Sequence, residues 1–245
     1  MNNHLPRIVG FALVCSSGLL LPFAASADDN GGWYAGGELG FGLSNSQKLS
    51  LSNNGNTLTN NYNTGFGGGI LGGYSFANGW RPEIEFGYRG ANVSSIQQST
   101  PQVSSSQTNN VSGTMSLETL MVNGWWDFRQ SDGFFATVHP YVGAGLGGAH
   151  FNLNGESLNT PSNAGWAASG PLASGSATTF AYQIGFGAGI GLTPQWSASL
   201  DYRYLGTSSV SLTNENEGGG KLGGSYHSSS LLVGLKYRFG VAEAE

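Results

Sequence analysis

The chain predicts an all-β fold, eight antiparallel strands closed into an up-and-down barrel that crosses a lipid bilayer. Three observations lead there. Charged residues make up 9 % of the 245 positions, against about 25 % in ordinary soluble domains. Glycine takes 41 positions, well over twice its usual share of about 7 %, so the strands themselves must tolerate it. Large apolar side chains recur at every second position, and beyond the N-terminus no apolar run reaches the about 18 residues a membrane helix needs. The 39 % hydrophobic and 12 % aromatic content excludes disorder, and glycines without a three-residue period exclude collagen.

Residues 1–27 read as a cleaved secretory signal peptide, with Arg7 for charge, an apolar core from Ile8 to Phe23 and the small-residue site Ala25-Ser26-Ala27. Cys15 follows Val14, where a lipoprotein signal carries a small residue, so a lipidated N-terminus is not expected. Residues 28–245 then form the barrel domain. That domain has no cysteine, so disulfides contribute nothing to its stability. Without Arg7 it keeps one fewer than the chain's 9 basic residues against 14 acids, a balance that gives no reason to expect nucleic acid as a partner.

Strands are expected over 33–43, 65–76, 80–91, 114–128, 134–153, 178–192, 196–205 and 226–239, each long enough for the about 9–11 tilted residues that span a bilayer. In the first, Trp33, Ala35, Gly37, Leu39 and Phe41 oppose Tyr34, Gly36, Glu38, Gly40 and Gly42. In the sixth, Phe180, Tyr182, Ile184, Phe186, Ala188, Ile190 and Leu192 oppose Ala181, Gln183, Gly185, Gly187, Gly189 and Gly191. The seventh sets Trp196, Ala198, Leu200, Tyr202 and Tyr204 against Ser197, Ser199, Asp201 and Arg203. The eighth sets Leu231, Val233, Leu235, Tyr237 and Phe239 against Gly234, Lys236 and Arg238. Glycine decides which face is inside. A row of glycines cannot fill a hydrophobic core, but it relieves crowding in a narrow barrel and leaves space for water. The aromatic and aliphatic face, with no helix to cover it, needs lipid, and only a closed barrel satisfies every backbone group there.

The connections agree with that topology. Ala77-Asn78-Gly79, Arg129 to Gly133 and Thr193-Pro194-Gln195 are short. The other four, 44–64, 92–113, 154–177 and 206–225, are rich in Ser, Asn, Thr and Gly and read as long polar loops. In an outer-membrane barrel short turns face the periplasm and long loops the exterior, with both termini periplasmic for an even strand count. Aromatics beside the short turns (Trp33, Tyr74, Phe76, Trp80, Trp126, Phe128, Trp196 and Tyr237) form the expected periplasmic girdle. Tyr62 and Trp166 are the conspicuous loop aromatics.

Several segments carry a family resemblance. Arg81-Pro82-Glu83-Ile84-Glu85 with Tyr88, Met121-Val122-Asn123-Gly124-Trp125-Trp126-Asp127, Pro140 to Gly145, and Ala181-Tyr182-Gln183 followed by Leu192-Thr193-Pro194 occur in order from the third strand to the seventh. They resemble the surface-antigen, opacity-type family of small porin-like outer-membrane β-barrel proteins. The resemblance implies a Gram-negative outer-membrane location, an eight-stranded barrel and, for several members, a role as surface antigen. It does not extend to the long loops, and this chain continues past Phe239 with a small acidic tail.

No motif for catalysis or a cofactor stands up. Gly67-Gly68-Gly69-Ile70-Leu71-Gly72 fits a dinucleotide string but no helix pattern follows it. His139, His150 and His227 show no metal-ligand spacing. His227 and Ser229 share one strand face near the outer rim, as in lipid A hydrolases of small-barrel form. Such a site would need an orienting acid, for which Glu118 is the nearest candidate. Inside the barrel, parity collects Glu38, Glu83, Glu85, Arg89, Asp201, Arg203, Lys236 and Arg238, which should pair as a lumen charge network because unpaired buried charge is costly. Gly234, Tyr237 and Phe239 have the spacing that resembles the C-terminal assembly signal of outer-membrane barrels.

The expected protein is therefore a non-enzymatic surface barrel displaying four polar loops, antigen- or adhesin-like, without cofactor or metal. Its expected partners are outer-membrane lipid and lipopolysaccharide, the outer-membrane assembly machinery, and a host or surface ligand met by the loops. A narrow porin-like channel for small solutes is the alternative, and a lipid A-modifying hydrolase a more distant one.

Overall fold

The computed structural model describes the backbone of residues 31–51, 57–62, 64–100, 103–128, 138–158, 171–213 and 221–240. The expected signal peptide, Trp166 and most of the acidic tail lie outside the described residues. Ten strand segments form one sheet: β1 (Gly32–Leu51), β2 (Thr57–Tyr62), β3 (Phe66–Ser75), β4 (Trp80–Thr100), β5 (Val103–Asp127), β6 (Val138–Leu158), β7 (Pro171–Gly191), β8 (Trp196–Thr207), β9 (Val210–Thr213) and β10 (Lys221–Arg238). Each barrel strand pairs antiparallel with its neighbours, and β1 pairs with β10 from Tyr34↔Arg238 to Leu51↔Leu222, which closes the sheet. Both β2 and β3 lie between β1 and β4, so they are two parts of one stave. Likewise β8 and β9 are two parts of the stave between β7 and β10. The barrel thus has eight staves.

The strands run much farther than the alternation alone suggested. Segments that read as long polar loops continue as paired strand: β4 and β5 extend to Thr100↔Val103, β6 and β7 to Ser157↔Pro171, and β10 and β9 to Lys221↔Thr213. Once two adjacent strands leave the bilayer in register, each further rung adds hydrogen bonds without new loop closure, and Ser and Thr tolerate the extended backbone. β5 has 25 residues and needs only about 9–11 to cross the hydrocarbon. More than half of it therefore stands outside as hairpin. The fifth expected strand is described from Val138 onward, and its expected first residues, 134–137, lie outside the described residues with the rest of 129–137.

The large apolar side chains face outward. Leu39, Ile70, Ile84, Val122, Leu146, Phe186 and Val233 are among a continuous set at least two-fifths exposed, far larger than the apolar patch a soluble monomer shows. Tight turns close the other end. Between β3 and β4, Phe76 N–H donates to Trp80 O at 2.9 Å and Gly79 takes a φ of 92° that favours glycine. Between β7 and β8, Thr193 Oγ1 accepts from the N–H groups of Gln195 and Trp196 at 3.3 and 3.0 Å.

Inward glycines are pits for neighbouring rings. One rung runs Trp125–Gly143–Gly185–Arg203 across β5 to β8, so the indole of Trp125 lies over two glycines and meets Arg203 at 5.0 Å. A Cβ at Gly187 would lie 2.7 Å from the Tyr141 ring, whereas one at Gly191 would meet nothing within 4 Å. Space expected to hold water is thus filled by side chains at mid-barrel and open near the short turns. Gly187→Ala should destabilise the refolded barrel by about 1–3 kcal/mol through overpacking, while Gly191→Ala stays within about 0.5 kcal/mol. Equal urea midpoints for the two variants would contradict this packing.

Candidate functional site

Three layers fill the interior. The middle one is polar and centres on Arg203, which is 1 % exposed. Its Nη1 donates to Glu38 Oε1 at 2.9 Å and Glu85 Oε2 at 2.6 Å, its Nη2 to Glu38 Oε2 at 2.7 Å, and Asp201 lies at 3.5 Å. The planar guanidinium suits this task because its fork matches two carboxylates at once. Neutral donors complete the acids' shells. Asn123 and Gln183 donate to Glu85 at 2.8 and 3.0 Å, Trp125 Nε1 and Tyr34 OH to Glu83 at 3.0 and 2.8 Å, and Tyr141 OH and Ser199 to Asp201 at 2.7 and 3.0 Å. Arg81 forms a second centre, donating through Nε to both Asp127 oxygens at 2.9 and 3.1 Å and lying 3.6 Å from Glu83.

Of the eight charges grouped by parity, Glu38, Glu83, Glu85, Asp201 and Arg203 meet in this layer, while three sit elsewhere. Arg89 is buried higher, opposite Leu117, and forms no ion pair among the described residues. Lys236 is half-buried nearer the short turns, its Nζ 5.4 Å over the Tyr141 ring. Arg238 is exposed at that end, too near the strand terminus to reach the middle acids. Parity assigns the face but not the height. Arg81 shares its parity with Glu83 and was readable by the same rule. Trp125 was readable too, because adjacent tryptophans at 125 and 126 in a strand must point to opposite faces.

The layer toward the long hairpins is built mostly of apolar side chains, with Met115, Leu117, Phe151, Leu153, Leu205 and Tyr226 at most 2 % exposed and Arg89, Ser228 and Ser230 buried beside them. Here the outward neighbours are polar (Thr114, Ser116, Asn152, His227), so the alternation inverts relative to the lipid belt. Outside the bilayer the sheet obeys the soluble rule of apolar in and polar out. At the opposite end lies a vestibule of about 400 Å³, walled by Tyr141, Trp196 and Lys236 with Arg81, Asp127 and His139.

The other expected sites lie as follows. Trp33, Phe76, Trp80, Trp126, Phe128 and Trp196 are exposed around the short-turn end, with Tyr74 and Tyr237 half-buried among them. Their rings meet edge to face, Trp33–Tyr74 at 5.2 Å, Tyr74–Phe76 at 4.7 Å, Trp196–Tyr237 at 5.0 Å and Tyr237–Phe239 at 5.2 Å. Gly234 faces inward, and Phe239 N–H donates to Trp33 O at 2.9 Å, the last rung of closure. These residues assemble no triad. His227 binds Tyr204 OH at 2.9 Å and Ser225 at 3.2 Å, Ser229 accepts from Tyr202 at 3.0 Å, and Glu118 stands four strands away, with β1, β3 and β4 between. The glycine string 67–72 lies within β3, with no helix after it.

A closed eight-stave barrel with an outward apolar belt, an aromatic girdle at its short-turn end and a packed polar interior defines a small outer-membrane β-barrel protein. Residues 11–239 match the outer membrane protein beta-barrel domain, and the chain belongs to that family. It is 26 % identical over 245 residues to the outer membrane protein PagN of Salmonella typhimurium, covering 94 % of this chain and 99 % of that protein. Among solved structures, OprG of Pseudomonas aeruginosa has a TM-score of 0.50 at 16 % identity, over 88 % of this chain and 99 % of that one. Neisserial surface protein A has a TM-score of 0.42 at 18 % identity, over 84 % and 97 %. The protein is therefore an outer-membrane protein.

Arg203→Leu would leave Glu38 and Glu85 facing each other without their cation. It should cost about 3–5 kcal/mol, the range for orphaning a buried charge, measured by urea titration of the refolded barrel. A loss under about 0.5 kcal/mol would show a solvated side chain.

Proposed function

We propose that the protein is a non-enzymatic surface barrel whose function is to present its four polar hairpins at the cell exterior, as an antigen or adhesin-like protein. The observation that carries this reading is the continuation of paired strands far beyond the bilayer above a packed apolar layer. A hairpin anchored on a rigid base presents its tip with less ordering entropy to lose on binding than a free loop has. Membership of the outer-membrane family and the similarity to PagN support the surface location, and the hairpins are the part of the chain that a host or surface ligand would meet. Lipid and lipopolysaccharide contact the outward belt, and the signal peptide at 1–27 is expected to be cleaved on export.

A narrow channel for small solutes is the second reading, favoured by the periplasmic vestibule. It requires a path past Arg203, Trp125 and the apolar residues above them, and an eight-stranded interior is just wide enough for side chains to fill. Refolded protein in planar bilayers should show no steady single-channel conductance, and an open state with reproducible unitary conductance would favour the channel.

The assembly machinery is proposed to read Gly234, Tyr237 and Phe239. Phe239→Ala should lower the folded fraction in cells more than Trp196→Ala, while deletion of the six-residue tail after Phe239 leaves it unchanged, judged on unheated gels at matched expression. Equal losses for the two aromatic variants would leave Phe239 a girdle residue only.

A further inference from the structure

We propose that the periplasmic vestibule binds a small organic oxyanion, a carboxylate or phosphate ester with an apolar body, through Lys236. Its charge is inverted relative to the chain. Among the described residues the walls hold Arg81, Lys236 and Arg238 against one acid, Asp127, whereas the whole chain has a formal net charge of −5.

The acids nearby are already committed. Asp127 takes both its hydrogen bonds at 2.9 and 3.1 Å from Arg81, and Glu38, Glu85 and Asp201 all surround Arg203. Lys236 is left with the Tyr141 ring at 5.4 Å and no ion pair among the described residues. On the same walls, His139 Nδ1 is buried with no hydrogen-bond partner. Lys236 thus borders the cavity as a cation with an aromatic contact but no ion pair among the described residues, a group whose desolvation an anionic ligand would offset.

The rest of the cavity suits an organic body. About 400 Å³ lies within the range of about 300–1,000 Å³ for small-molecule pockets. Tyr141 and Trp196 supply aromatic wall, and Gly191 leaves open space where a side chain would have stood. Beyond its inner wall, which includes Tyr34, Tyr141 and Ser199, the buried Trp125 and Arg203 occupy the lumen. A ligand leaves the way it enters, so the site retains a periplasmic solute rather than passing it. This assignment is independent of what the hairpins bind.

The test is calorimetric titration of the refolded full chain in nonionic detergent with phenyl phosphate and benzoate, and with benzyl alcohol as the neutral analogue. We expect saturable binding of at least one anion, weakened by added salt, and weaker binding of benzyl alcohol. Lys236→Gln should reduce affinity about tenfold or more, Lys236→Arg should restore most of it, and Lys221→Gln, at the opposite end of β10, should leave it unchanged. Gly191→Leu fills the cavity without altering its charge and should also abolish binding. Folding of each variant is checked by its unheated gel mobility. Undiminished affinity in folded Lys236→Gln, benzyl alcohol binding as tightly as the anions, or no saturation with either anion would overturn the proposal. Glu243 and Glu245 of the chain's own tail offer the same carboxylate chemistry. Tighter probe binding by a chain ending at Gly240 would identify the tail as a competing occupant of the site, and unchanged binding would identify a free solute.

Discussion

In hydrocarbon a backbone N–H or C=O has no water to fall back on, and each one left without a partner costs several kcal/mol. The ladder between β1 and β10 answers that constraint, joining the first and last strands rung by rung from Tyr34↔Arg238 upward and removing both sheet edges at once. Closure with eight staves then sets the diameter. An interior that narrow is just wide enough for side chains to fill and leaves no room for a second layer of secondary structure. What lies inside must be side chains that fit one another, and the glycines opposite the large ones follow from the same restriction.

That fit explains why the lumen is polar at mid-height although polarity is not the cheapest way to stabilise it. Buried ion pairs stabilise less than well-packed apolar groups of similar volume. A strand apolar on both faces, however, would approach the run of about 18 apolar residues that reads as a membrane helix. Strict alternation avoids such runs, and it obliges the inward positions to be glycine or polar. Given polar residues in a dry space, each needs a partner. Arg203 meets that need economically, one fork holding Glu38 and Glu85 while Tyr141 and Ser199 hold Asp201 nearby.

Much of this was legible in the sequence because the side-chain period of a strand is two and the lipid enforces it over every stave. Glu83, Glu85, Asp201 and Arg203 were assigned to the lumen by counting, and the girdle by its nearness to short turns. Height was not legible. Arg89, Lys236 and Arg238 lie on the expected wall, yet the tilt and stagger of the staves set them above or below the central acids. Which donor meets which acid was equally hidden, since Trp125 and Gln183 reach their carboxylates from strands far apart in the chain. The hairpins were misread for a different reason. Ser, Asn and Thr have loop composition, but the register established inside the bilayer was enough to keep them paired.

The inversion at Met115, Leu117, Phe151 and Leu153 ties these threads together. Within the bilayer the outward residues are apolar because lipid is the solvent on that side. Above it water surrounds the same sheet, and the same alternation of faces carries the opposite assignment, with Ser116 and Asn152 outside and mostly apolar side chains within. The level at which the pattern flips marks where the hydrocarbon ends, and it shows that one continuous sheet is folded against two solvents. The outer part behaves as a small soluble barrel with its own core. The hairpins therefore rise from packed protein rather than from the membrane surface. At the periplasmic end no such inversion occurs before the strands stop. The interior there ends in short turns, cations and open space beside Gly191, which leaves that end accessible to solutes.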